Sequence, residues 1–252
     1  MSSDIHIGIT YLFKGFGLLG RARILPFVVG PLLINVSLFY FGVSYLIDSY
    51  NNWLNGFLEF IPDWLGFIRW LLTPLFYLLV TVFVALTFTL AANFIGSPFY
   101  GFMAEKVELI YRDEASNNSF KFLSLVRSIP LALIRELQKL ARYLLWAIPI
   151  IIVWIVSLFI PLLIPVTSVL WFVFGAWVLT VQHVDYAYDN NELSISSLAS
   201  DLRKFKLTAL SFGGITSLAM MIPVFNIFVI PAAVCGGTLF YVEKLRIDTN
   251  DA

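Results

Sequence analysis

Charge is absent from four long stretches of this chain: Ile24–Ile47, Trp70–Ala104, Tyr143–Gln182 and Leu207–Val242, of 24, 35, 40 and 36 residues. A hydrocarbon core about 30 Å thick takes roughly 20 apolar residues of helix to cross. A helix without a polar face has nothing to present to water. The stretches therefore point to lipid as solvent and to an all-α integral membrane protein. Charged residues make up 13% of the chain, about half the share of a soluble domain, and all of them lie outside the stretches.

The charges that remain exclude several classes. Sixteen basic and sixteen acidic residues cancel, so no basic excess argues for nucleic acid. A single cysteine, Cys235, rules out an internal disulfide framework or a multi-cysteine metal site. With only His6 and His183 as histidines, neither a cofactor nor a metal is expected. The first stretch is too long for a signal-peptide core of about 7–15 residues, and it reads as a retained membrane helix. No linker-like or low-complexity segment divides the chain, so residues 1–252 are expected to form one membrane domain.

Residues 1–23 read as a short interfacial helix with a basic flank, apolar at Ile5, Ile9, Leu12, Phe16 and Leu19. Residues 24–47 and 70–104 each read as a transmembrane helix, joined by a loop at 48–69 whose Trp53 and Trp64 suit the interface. Pro31 is expected to kink the first, and Gly96-Ser97-Pro98 to break or bend the second. Phe120–Arg142 is amphipathic and feeds into the third stretch. Residues 143–182 and 207–242 are each too long for one span and carry proline pairs near their middles, Pro161 with Pro165 and Pro223 with Pro231. Their halves reach only about 16–26 Å at 1.5 Å per residue, which favours two partly inserted helical hairpins. On that topology one side receives fifteen of the sixteen Lys and Arg, and the loop 48–69 holds only Arg69. The basic side should face the cytoplasm. Six full spans would give the same sidedness.

Chemistry is sparse. His183-x-Asp185…Asp189 is the nearest approach to an enzymatic or metal site, but it lacks a second histidine and supporting spacing. The simpler reading is a polar re-entry into the aqueous phase, with Asn190 capping. No phosphate-binding loop or Ser–His–Asp set exists. Asn35, Asn93, Ser97 and Asn226 are polar residues inside apolar stretches, read either as amide glue between helices or as the lining of a water path. Asn93 and Asn226 also sit beside breaks, where exposed backbone N–H groups suit an anion. Arg21 and Arg23 precede the first spanning helix. Arginine forks bind oxyanions well, although cytoplasmic flanking explains the pair equally. Arg135 with Glu136 reads as a solvated helix pair or as part of a mouth.

The stretches PFVVGPLLIN (26–35), IPDWL (61–65), ANFIGSPFYGFMAEKVE (92–108), IRELQKLARYL (134–144), VLWFVFGAWVLTVQHVDYAYDN (169–190) and FGGITSLAMMIPVFNIFVIPAAVCGGT (212–238) together resemble the CysZ-type sulfate permeases of the bacterial inner membrane. The resemblance covers about nine-tenths of the chain. It implies sulfate uptake feeding cysteine biosynthesis, two long membrane helices with two partly inserted hairpins, and a homo-oligomer in which antiparallel protomers are one arrangement. The fifteen-to-one bias argues against a free choice of orientation. Two departures stand out. Relatives commonly carry arginine just before the residue matching Phe27, where this chain has Leu25 and Pro26, and they often have histidine in place of Asn191.

The sequence thus leads to a sulfate transport protein with no enzymatic step. Arg21 and Arg23 would gather the dianion, and Asn35, Asn93 and Asn226 would line its path. Glu105 and Arg135 would stand near the cytoplasmic mouth. The alternative is a membrane scaffold or assembly factor without transport.

Overall fold

The computed structural model describes residues 4–59, 66–112, 122–222 and 225–246. Its elements are α1 (Ile5–Leu18), α2 (Leu25–Glu59), α3 (Gly66–Tyr111), α4 (Phe122–Phe159), a 3-10 turn at Pro161–Leu163, α5 (Ile164–Asn190), α6 (Ile195–Lys204), α7 (Lys206–Met220), α8 (Asn226–Phe240) and a π-helical turn at Tyr241–Leu245. Among the described residues every element is helical, and the protein is an all-α membrane protein. Windows in α2, α4, α5 and α8 are long and apolar enough to cross a bilayer.

The chain divides into two compact units, Val29–Gly96 and the remainder, Met1–Val28 with Ser97–Ala252. In the smaller unit α2 and α3 expose Leu33, Phe39, Phe41, Leu78 and Phe83, a surface suited to lipid rather than water. Ser37 and Ser44 donate to the carbonyls of Leu33 and Tyr40, four residues back, at 2.8 and 2.9 Å. Their hydroxyls are thereby satisfied without water.

The larger unit is built around α8. Every residue from Pro231 to Tyr241 is buried, and α1, α5 and α7 pack around the helix. The approach is close because glycines face backbone: a Cβ on Gly15 would strike the Ala232 carbonyl, and one on Gly213 the Ala176 carbonyl. Small residues that let helix axes converge are the usual device of membrane bundles. α6 shows the opposite pattern. It buries Ile195, Leu198, Ala199 and Leu202 on one face, while Ser194 caps its start by accepting the Ser197 N–H at 3.0 Å. α4, the 3-10 turn and α5 expose Leu144, Ile152, Phe159, Leu162 and Ile164.

Three sequence expectations need correction. Residues 48–59 are not loop but the last turns of α2, since only Gly56 among them is a strong helix breaker. Trp64 lies outside the described residues. Gly96-Ser97-Pro98 does not break α3, which runs through it as a 46-residue helix. Proline removes one backbone donor, and a helix in apolar surroundings keeps the rest of its ladder. Pro231 does not break the fourth stretch either, because it lies within α8. The interruption falls before Asn226. In the third stretch the interruption is at Pro161, where α4 ends and the 3-10 turn begins.

Candidate functional site

Arg135 and Lys139 stand one helical turn apart on α4, and Asp185 and Asp189 one turn apart on α5. Residues four apart share a helix face, so packing α4 on α5 brings two cations against two carboxylates. Asp185 receives a two-pronged bond from Arg135, with Nε at 3.0 Å and Nη2 at 2.7 Å. Lys139 Nζ approaches the same carboxylate at 3.3 Å. Arg135 also reaches Asp189 at 3.0 Å through Nη1 and donates to the Leu193 carbonyl at 3.0 Å. The side chains of Lys139 and Asp185 are each 2% exposed, that of Asp189 45%.

Glu136 completes the cluster. It accepts from Lys139 at 2.8 Å, from Ser97 on α3 at 3.0 Å, and from Gln182 on α5 at 3.2 Å. Lys139 lies 5.0 Å from the ring centre of Tyr186, so an aromatic face carries part of its buried charge. The side-chain amide of Asn190 donates to the Gly101 carbonyl at 2.8 Å, and that of Asn191 to Glu108 at 3.0 Å. These bonds tie the end of α5 to the end of α3.

The residues line a cavity of about 350 Å³ that opens between α3, α4 and α5. Its wall carries five carboxylates, Glu105, Glu136, Asp185, Asp189 and Glu192, against two cations. Both cations are engaged by those carboxylates. A dianion entering here therefore gains a binding site only by displacing an acid, and the half-exposed Asp189 is the one most easily displaced. Low dielectric makes such exchanges costly in either direction.

Of the residues singled out from sequence, Glu105 and Arg135 line this cavity. Arg135 is no solvated partner of Glu136, because its fork is taken by Asp185 and Asp189. Arg21 and Arg23 lie in the turn between α1 and α2, exposed and without an ion pair among the described residues. The Arg21 carbonyl accepts from Ile24 and Leu25 N–H, at 2.8 and 3.0 Å. Asn226 is exposed at the start of α8. Asn35 belongs to the smaller unit, with a buried Oδ1 that has no hydrogen-bond partner among the described residues. The Asn93 side chain lies outside the described residues. His183 is buried and turned to its own helix, its Nδ1 2.6 Å from the Leu179 carbonyl oxygen. It therefore stands apart from the use Asp185 and Asp189 make of their charge. Lys139 and Glu192 were missed from sequence as site residues, and Asp185 with Asp189 were considered only beside His183 as a metal or enzymatic set, although the four-residue spacing of Arg135 with Lys139 and of Asp185 with Asp189 was a readable signal of their pairing.

The profile of the family described as Sulfate transporter CysZ/Etoposide-induced protein 2.4 matches residues 11–231. The chain is 38% identical over 237 residues to the "Sulfate transporter CysZ" of Pseudomonas paraeruginosa, covering 94% of this chain and 95% of that protein. It is 39% identical over 245 residues to the protein of that name from Pseudomonas fluorescens, covering 97% and 96%. The one from Pectobacterium atrosepticum is 35% identical over 240 residues, covering 95% and 86%.

Proposed function

This chain belongs to the sulfate transporter CysZ family, and from that membership we propose that it carries sulfate across the bacterial inner membrane to supply assimilation into cysteine. The reading rests on one conjunction. Full-length kinship with proteins named as sulfate transporters coincides here with an ion-paired polar cavity among helices whose outer faces are apolar.

In this reading the side that carries fifteen of the sixteen Lys and Arg faces the cytoplasm, by the positive-inside rule. Arg21 and Arg23, exposed and unpaired, gather the dianion. Asn35, Asn93 and Asn226 offer neutral donors along the path, which bind sulfate weakly enough to release it. At the cavity sulfate takes the place of Asp189 on Arg135, while Asp185 keeps the guanidinium in position. Glu105 stands at the cavity rim. The α4–α5 and α7–α8 pairs act as partly inserted hairpins, and protomers assemble as a homo-oligomer, the charge bias favouring one orientation over antiparallel pairing. No bond is made or broken.

Radiolabelled sulfate flux into proteoliposomes tests the proposal. Flux above that of empty vesicles is expected, falling about tenfold in the Arg21→Ala/Arg23→Ala double variant, if each lost charged contact costs about 0.7 kcal/mol. Absence of flux from well-folded protein would favour the scaffold.

A further inference from the structure

A second recess, about 380 Å³, opens among α4, α5 and the α6–α7 junction, and it shares no lining residue with the charged cavity. Its wall is apolar, built from Trp146 on α4, Phe174 and Trp177 on α5, and Leu210 on α7. Two cations, Arg203 and Lys206, stand on its edge. Thr180 on α5 donates to the Ala209 carbonyl at 2.6 Å, and Gly213 faces Ala176. α7 thus runs antiparallel to α5, and Lys206 lies at the end of the recess nearer the polar C-terminus of α5. The apolar wall continues away from it, toward the middle of α5.

The two cations differ from their neighbours. Lys204, between them in sequence, pairs with Asp201 at 3.0 Å, and Arg142 nearby donates to Ser196 at 2.9 Å. Arg203 and Lys206 are exposed and have no ion pair or hydrogen-bonded side-chain partner among the described residues. They cap the polar end of an apolar trough, at the end of an amphipathic helix whose buried face is Ile195, Leu198 and Leu202. Paired tryptophans favour the depth of a membrane boundary.

We propose that this recess binds one anionic phospholipid. Its phosphate sits between Arg203 and Lys206, and an acyl chain lies along Trp146, Trp177, Phe174 and Leu210. Charge complementarity selects the occupant. A zwitterionic lipid would bring its own cation to two unpaired cations, and a free anion would leave the apolar wall unused. The site is independent of the sulfate reading, and it would bind lipid whether or not the protein transports.

The test uses the full chain in mild detergent, titrated with phosphatidylglycerol or phosphatidylcholine brominated on the acyl chain, which quenches nearby tryptophan. Each surface cation strengthens attraction to an anionic lipid about fivefold, so phosphatidylglycerol should saturate at roughly twenty-five-fold lower concentration than phosphatidylcholine. Arg203→Ala/Lys206→Ala should erase the difference, while Lys204→Ala leaves it. Trp146→Phe/Trp177→Phe should remove the saturating component and keep the lipid bound, as read by native mass spectrometry. Glycerol phosphate at the same concentration should not compete. Equal affinity for the two lipids would overturn the proposal. So would a preference that survives the double alanine variant, saturable quenching without the two tryptophans, or full competition by glycerol phosphate.

Discussion

Asp185→Asn removes one charge from the most enclosed part of the cavity and leaves the shape almost unchanged. The parent carboxylate takes two bonds from Arg135, at 3.0 and 2.7 Å, and a contact from Lys139 at 3.3 Å. Asparagine keeps one acceptor oxygen and turns an NH2 toward the cations. Breaking a buried pair by deleting one partner costs about 3–5 kcal/mol. The loss should lie at the lower end, near 3 kcal/mol, because each cation keeps another partner: Asp189 at 3.0 Å for Arg135 and Glu136 at 2.8 Å for Lys139. At about 2–4 °C per kcal/mol for a chain of this size, the melting temperature of the detergent-solubilised protein should fall by roughly 6–12 °C. Asp189→Asn, at a half-exposed carboxylate, should cost under about 1 kcal/mol. Lys139→Met takes the cation from both Asp185 and Glu136, and its double variant with Asp185→Asn should lose clearly less than the sum of the two single losses, since residues sharing a partner are not additive. If Asp185→Asn melts no lower than Asp189→Asn, or if the losses of Asp185→Asn and Lys139→Met simply add, the account of a charge-saturated cavity is wrong.

Other features are as directly testable. Gly213→Ala places a methyl against the Ala176 carbonyl and should cost about 1–3 kcal/mol. Gly175→Ala, which meets nothing within 4 Å, should be neutral or stabilising by up to about 1 kcal/mol, and thermal melts of the two compare them. Asn35→Leu removes a buried oxygen that has no partner among the described residues, so stability should hold or rise by about 1 kcal/mol while sulfate flux falls; a clear loss of stability would mean that the amide is bonded. Cys235, wholly buried in α8, should resist maleimide until the protein is unfolded, as read by mass shift.

The solvent was legible in the sequence because charge was absent over whole helix lengths. What each apolar stretch faces was not. Leu207–Val242 reads the same whether lipid or protein surrounds it, yet 67% of the α8 window is buried against 11% for the windows of α4 and α5. Composition reports that water is excluded and is blind to what excludes it. Proline was read too strongly: Pro161 ends a helix where exposed turns can form, whereas Pro98 and Pro231 sit inside helices that packing holds together. The cavity was half legible. Arg135 and Glu105 were picked out as single residues, but the exchange of partners between α4 and α5 depends on which helices pack, and one sequence does not reveal that pairing. Arg135 beside Glu136 in the chain suggested a local pair, although neighbours in sequence point about 100° apart on a helix.

The packing of α1 on α8 also sets a clock. Lys14 and Glu243 pair at 2.9 Å across 229 residues, and the glycine face of α1 finds its backbone partners only on α7 and α8. At about 5–20 residues per second, the ribosome needs roughly 10–45 s to deliver the second partner after the first. Throughout that interval α1 waits at the membrane with its closest-fitting surface uncovered. Closure of the larger unit is therefore a late event in biogenesis, and a chain cut short before α8 would present that uncovered face to whatever quality control patrols the bilayer.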